Sequence, residues 1–147
     1  MIKIVKIDET NWYQCTQLAV TEAQKKIFTV PVVYWMAICR YRDNHYENAI
    51  YNDDELVGFS VWAFDKKTDE YWIAAIMIDE KHQNKGYGKQ AMKELIKILS
   101  KNENCDKIFL GHRPNNAIAS HLYEAMGFVD TGRREDGEVV RCLTLKK

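Results

Sequence analysis

Gln83-Asn84-Lys85-Gly86-Tyr87-Gly88-Lys89 is the stretch on which the reading of this chain turns. Just before it runs Tyr71-Trp72-Ile73-Ala74-Ala75-Ile76-Met77-Ile78, an apolar segment without alternation, which predicts a central strand covered on both faces. Just after it, Tyr87, Ala91, Leu95, Ile98 and Leu99 recur at helical spacing, with Lys93, Glu94, Lys97 and Lys101 facing water. The two glycines let the backbone approach a ligand closely. The first turn of the helix aims unpaired N–H groups and its positive dipole end into the loop, a geometry that binds phosphate. Lys85 and Lys89 add to this, because lysines at this end of a helix oppose the dipole unless an anion sits between them.

Three phosphate loops compete for this pattern. A Walker loop needs G-x-x-x-x-G-K-[ST], but Gly88-Lys89 is followed by Gln90, and Gln83 stands where the first glycine belongs. Gly86, Gly88 and Ala91 satisfy the dinucleotide pattern G-x-G-x-x-[GA]. The acid expected at the end of the next strand is replaced by Gly111-His112-Arg113, however, and too little chain follows for a doubly wound sheet. The third pattern is Q/R-x-x-G-x-G/A after a central strand, which Gln83, Gly86 and Gly88 match.

Elsewhere in the chain, Ile2, Ile4 and Ile7 suggest a first strand. Thr10 is placed to cap a helix through about Ala19 with Trp12, Cys15, Leu18 and Ala19 on one face. Pro31 suits the first turn of a second helix toward Arg40. Tyr46 to Asp79 reads as a three-strand meander with polar turns at Asn52–Glu55 and Lys66–Asp69. Lys107 to Gly111 is a short strand, and Asn116 to Met126 an amphipathic helix with Gly127 as its C′ residue and Phe128 as the apolar contact of a Schellman cap. Two strands close the chain around Glu135-Asp136-Gly137, a hairpin signature. The order β-α-α-β-β-β-α-β-α-β-β gives an α/β (α+β) chain: one domain over residues 1–147, with a mixed sheet of about seven strands and four helices on its faces.

Composition narrows the function. The 147 residues are 46% apolar and 29% charged, as in a globular domain, and 21 Lys+Arg balance 21 Asp+Glu, which argues against a dedicated nucleic-acid binder. No apolar run approaches the roughly 20 residues of a membrane span, and the first residues interleave charge with aliphatics, unlike a secretory leader. Cys15, Cys39, Cys105 and Cys142 are scattered, so reduced thiols in the cytoplasm are expected. No spacing suits a metal.

The later segment Asn116-Ala-Ile-Ala-Ser-His-Leu-Tyr123-Glu-Ala-Met-Gly127-Phe128 fits N-x-x-A-x-x-L-Y-x-x-x-G-F. With the glycine loop in front of it, at matching spacing and element order, the chain resembles the GNAT family of N-acetyltransferases over about residues 46 to 145. The resemblance implies a mostly antiparallel sheet and acetyl-coenzyme A as co-substrate. The pyrophosphate would lie on Gln83, Asn84, Lys85, Gly86, Tyr87, Gly88 and Lys89, chiefly on main-chain N–H groups. The pantetheine arm would pair with Ile76, Met77 and Ile78, whose N–H groups would also face the developing oxyanion. Asn116 would contact the cofactor or cap its own helix, and Tyr123 would be the general acid for the leaving sulfur.

The acceptor implied is a primary amine on a small molecule, with a lean toward diamines and polyamines carried by Leu56-Val57-Gly58-Phe59 and Asp136-Gly137-Glu138. Protein N-termini or lysines, or acetyl-coenzyme A sensing without catalysis, are the alternatives, and family members are often homodimers. Polyamine-acetylating relatives often carry an acid in mid-strand where this chain has Ala74. Glu22, Asp43, Glu70, Asp79 and Glu80 read as solvated surface carboxylates, and none is assigned as base. His112 is expected in an exposed loop, with a place facing the acetyl pocket as the other possibility, and most of the aromatics of the first half in the core, with a cation-binding cage as the other possibility.

Overall fold

The computed structural model describes residues Met1–Lys147. Seven strands form one sheet in the order β1-β2-β3-β4-β5-β7-β6. In chain order these are β1 (Ile2–Lys6), β2 (His45–Asn52), β3 (Glu55–Asp65), β4 (Glu70–Ile78), β5 (Lys107–His112), β6 (Val129–Glu135) and β7 (Glu138–Thr144). The helices are α1 (Trp12–Thr16), α2 (Val32–Tyr41), α3 (Tyr87–Ser100) and α4 (Ala117–Ala125). Every neighbouring strand pair is antiparallel except β4 with β5. No helix is long and apolar enough to cross a membrane.

The apolar run of β4 is central, as its lack of alternation predicts, and its two faces are covered unequally along its length. Tyr71 and Ile73 pack with Met92, Leu95 and Leu99 of α3 and Phe128. Ala75 and Met77 instead pack with Cys15 of α1 and Val32 and Met36 of α2. Side chains alternate strictly along a regular strand, so this change of face requires an extra residue. Ala74 is that residue, because Val61 pairs with Ala75 while the next residue, Trp62, pairs with Ile73. Such a bulge bends the strand and re-aims the side chains beyond it. Pairing of β4 to β5 ends at the same place: Tyr71, Ile73 and the residue between face Ile108 to Leu110, and no residue beyond Ile73 has a β5 partner. On the other edge β4 stays paired to β3 as far as Ile78, opposite Gly58. Gly58 is held to glycine by packing, since a Cβ there would run into the carbonyl oxygen of Met77.

The first helix corrects the sequence expectation. It ends at Thr16, not Ala19, and Thr10 does not cap it. The hydroxyl and N–H of Thr10 both go to the Asp8 carboxylate. Ala19 is drawn out of the helix by two bonds to the end of β4: its N–H donates to Asp79 Oδ1 at 2.9 Å and its carbonyl accepts from the Glu80 N–H at 2.8 Å. Trp12, Tyr13, Tyr34, Tyr41 and Tyr46 are exposed, so a good part of the aromatic set lies outside the core. At the far end, α4 closes in the expected Schellman motif: the Phe128 N–H reaches the Tyr123 carbonyl, the Gly127 N–H reaches Glu124, and Gly127 has φ +97°. Asp136 and Gly137, at φ 51° and 79°, make the tight turn between β6 and β7.

Candidate active site

Where β4 and β5 part, a cleft of about 700 Å³ opens. One wall is the unpaired edge of β4 from Ala74 to Ile78, and the other comes from Gly111 and His112 of β5 with Asn116, at the N-cap of α4, and Tyr123 of that helix. Asn84, Gly86, Tyr87 and Gly88 line its end at the start of α3. The fold therefore brings the main parts of both sequence signatures to one cavity.

The loop before α3 is built to leave its N–H groups free. Asn84 and Gly86 both take positive φ, 63° and 80°, and Gly86 is the N-cap of α3. No side chain caps this end, and no N–H from Asn84 to Lys89 donates to a protein acceptor. Lys85 and Lys89 are exposed and without an acidic partner. Two other side chains of the loop are committed to the protein. Gln83 exchanges amide bonds of 2.7 and 2.9 Å with Gln24 and donates to the Ile78 carbonyl at 2.9 Å. The Tyr87 hydroxyl accepts from Asn52 at 3.0 Å. Both hold the loop in place, leaving their main chain to face the cleft.

Asn116 acts as the helix cap: its Oδ1 accepts from the Ala119 N–H at 3.1 Å. Tyr123 stands between His112 and Phe128, with ring centroids at 6.1 and 6.0 Å. Burial, and then the negative charge of Glu138, push its hydroxyl above the ordinary value of 10.0, so it stays a protonated phenol at neutral pH. His112 corrects the expectation of an exposed loop residue: it is 6% exposed. Both its ring nitrogens are engaged, Nδ1 with the Arg113 carbonyl at 2.9 Å and Nε2 with the Arg141 Nε at 3.0 Å. The nitrogen that would accept a hydrogen bond is thus already taken by Arg141.

The buried Arg141 also donates to the Phe128 carbonyl at 2.9 Å and to Ser120 Oγ at 3.0 Å, bracing β7 against both ends of the Tyr123 turn. Sequence reading gave no hint of it, since a lone arginine in a final strand looks like surface.

Among the acids, Asp79 and Glu70 are not solvated as expected. Asp79 is buried, and its carboxylate accepts from the N–H groups of Ala19 and Lys81. Glu70 is clamped by Arg133, with an Nη1 to Oε2 distance of 2.7 Å. Glu138 was the acid missed: half-buried, it lines the cleft and leans over Gly111, where a Cβ would meet its Oε1 at 2.7 Å. The one available signal was a glycine inside β5, which marks a close approach.

Of the aromatics, Phe28, Trp35 and Trp72 line the cleft. The thiols do not serve it. Burial, followed by the charge of Glu47, pushes Cys15 and Cys39 up to about 11. No group of three or more His, Cys, Asp or Glu is gathered as a metal site.

Comparison with known proteins gives this geometry a setting. The model of the acetyltransferase (GNAT) family matches residues 7–128. Spermine/spermidine N(1)-acetyltransferase of Bacillus subtilis is 33% identical over 108 residues, covering 67% of this chain and 71% of that protein. Among solved structures, aminoglycoside acetyltransferase AAC(6')-Ib in complex with coenzyme A superposes with a TM-score of 0.82 at 13% identity, over 98% of this chain and 95% of that one. The PaiA N-acetyltransferase of Thermoplasma acidophilum, also with coenzyme A, gives 0.72 at 13% identity over 99% of each chain. The family match spans the glycine loop, the parted strands and the α4 signature together, and the chain belongs to the acetyltransferase (GNAT) family, as an acyltransferase whose co-substrate is acetyl-coenzyme A.

Proposed function

We propose that the protein acetylates a primary amine of a small, cationic molecule of the diamine or polyamine class. The observation that carries the reading is the unpaired edge of β4 running from Ala74 to Ile78 into the free N–H groups at the start of α3. A pantetheine arm carries two amides that lose water on binding and need partners, and a strand edge supplies them. The free N–H groups of Asn84 to Lys89, with the exposed Lys85 and Lys89, suit a diphosphate in the same way. The polyamine class is supported by the activity named for the Bacillus subtilis relative.

The bound thioester supplies an activated acetyl group, and the chain's own groups position it and move the protons. Main-chain N–H groups near Ile76 to Ile78 face the acyl oxygen as it gains charge. The Tyr123 phenol, kept protonated by its surroundings, holds the proton that the departing sulfur needs. The amine would attack in its neutral form, its ammonium proton having passed to water; as the C–N bond forms and the C–S bond breaks, Tyr123 would give its proton to the sulfur and the surplus proton on the acylated nitrogen would restore the phenol. His112 has both ring nitrogens hydrogen-bonded within the fold, and Asp79 serves as a buried acceptor for the N–H groups of Ala19 and Lys81.

Calorimetric titration with coenzyme A, followed by thiol release from acetyl-coenzyme A in the presence of spermidine, an aminoglycoside or a lysine peptide, tests the reading. Coenzyme A binding with turnover greatest on spermidine is expected. No heat with coenzyme A would overturn acetyl transfer, and greater turnover of the peptide would overturn the acceptor class.

A further inference from the structure

Glu138 opens β7 and lies in the cleft, yet no basic group of the protein is paired with it. The other ion pairs of that region are closed: Arg133 holds Glu70 and Glu135, and Arg134 holds Asp130. Glu138 makes no ion pair or side-chain hydrogen bond. It turns over β5 at Gly111, where an added Cβ would meet its Oε1 at 2.7 Å, so a larger residue there would push the carboxylate aside. The wall it occupies also carries Tyr123. The facing strand contributes Ala74, with no charge of its own. Phe28, Trp35 and Trp72 add apolar and aromatic surface to the same space.

We propose that Glu138 is the specificity-determining residue of the acceptor site, its carboxylate holding a second, non-reacting ammonium group of a di- or polyamine. This rests on the acetyl-transfer reading above. The chemistry follows from the charges. An alkyl diamine at neutral pH carries two ammonium groups, with ordinary values near 10.4. Only the nitrogen that attacks has to lose its charge, so the other reaches the transition state as a cation. A half-buried carboxylate without a partner gains most from such a cation, since charge-assisted hydrogen bonds are the strong ones when water is thinned out. The methylene spacer lies against apolar wall at no polar cost, and aromatic faces tolerate the cation on its way in. A monoamine has no second charge to offer. The influence of Glu138 on the Tyr123 hydroxyl fits the same arrangement, because it places the carboxylate within electrostatic reach of the proposed proton donor.

The test compares spermidine with n-butylamine in wild-type protein and Glu138→Gln, using thiol release together with calorimetric titration of spermidine into protein saturated with coenzyme A. In the variant, the spermidine-to-butylamine ratio of kcat/KM is expected to fall about tenfold to a hundredfold, mostly through KM, with a matching rise in the spermidine Kd. Gly111→Ala keeps the charge but displaces the carboxylate, and is expected to give a smaller loss of the same preference. The inference is overturned if Glu138→Gln keeps the wild-type ratio and spermidine affinity while still binding coenzyme A. It is equally overturned if wild-type protein binds coenzyme A and acetylates amines without preferring spermidine, a result that leaves acetyl transfer standing. Absence of coenzyme A binding removes both readings.

Discussion

Replacing Arg141 by methionine tests how the Tyr123 wall is held. Arg141 is 9% exposed, and its guanidinium donates three bonds, to His112 Nε2, the Phe128 carbonyl and Ser120 Oγ, at 3.0, 2.9 and 3.0 Å. Bonds from a charged donor contribute about 1.5–3 kcal/mol each. Part of that sum is offset, because methionine removes the cost of keeping a guanidinium out of water. It also leaves the Nε2 of a buried histidine and a backbone carbonyl without donors, and the net loss works out at about 2–4 kcal/mol. For a chain of this size each kcal/mol lowers Tm by roughly 2–4 °C, so a fall of about 5–15 °C is expected by calorimetry. The Phe128 carbonyl sits one residue past the glycine that closes α4, so the helix carrying Tyr123 should loosen as well. In thiol-release assays kcat should drop further than coenzyme A affinity, because the loop before α3 does not touch Arg141. A melting point within about 2 °C of wild type, with kcat unchanged, would refute the idea that this arginine organises the wall.

Other substitutions probe the remaining steps. Tyr123→Phe should lower kcat by about two orders of magnitude with coenzyme A affinity intact, as read by steady-state kinetics beside calorimetry; an unchanged kcat removes the proton-donor role. Gly86→Val forces a β-branched residue to φ +80°, at a cost of about 1–2 kcal/mol, and should weaken coenzyme A binding about tenfold by disturbing the N-cap of α3. A variant that binds as well as wild type would show the loop is not where the diphosphate rests. Cys15 and Cys39, raised from 9.0 to about 11 in the fold, ionise first in the unfolded chain. The stability they contribute is therefore full below pH 9 and lost progressively toward pH 11. Urea titrations across that range should show the decline, and a flat profile would contradict their burial as neutral thiols.

Much of this molecule is legible in its residues, for reasons that can be stated. The glycine loop, the Schellman signal at Gly127 and Phe128, and the Asp136-Gly137 turn are local rules, and each holds in the structure. The run in β4 announces a strand covered on both faces. What it does not announce is the change of face at Ala74, because every residue around it is apolar and the periodicity carries no phase to break. The extent of α1 fails for a different reason: its end is set by bonds to Asp79 and Glu80, some 60 residues away in sequence. Long-range partners likewise decide that His112 is buried beside Arg141 and that Asp79 is a structural acceptor. The place of Glu138 in the cleft is not legible because a glutamate after a hairpin turn looks like any surface residue until β5 is laid beside it.

The extra residue at Ala74 has one more effect. An exposed strand edge normally invites other chains to add to it and is a route to aggregation. Here the bare edge from Ala74 to Ile78 does not lie on the outside of the sheet but lines a cleft whose other wall is built by β5 and α4, so a strand from another molecule would have to enter that cleft before it could reach the amides.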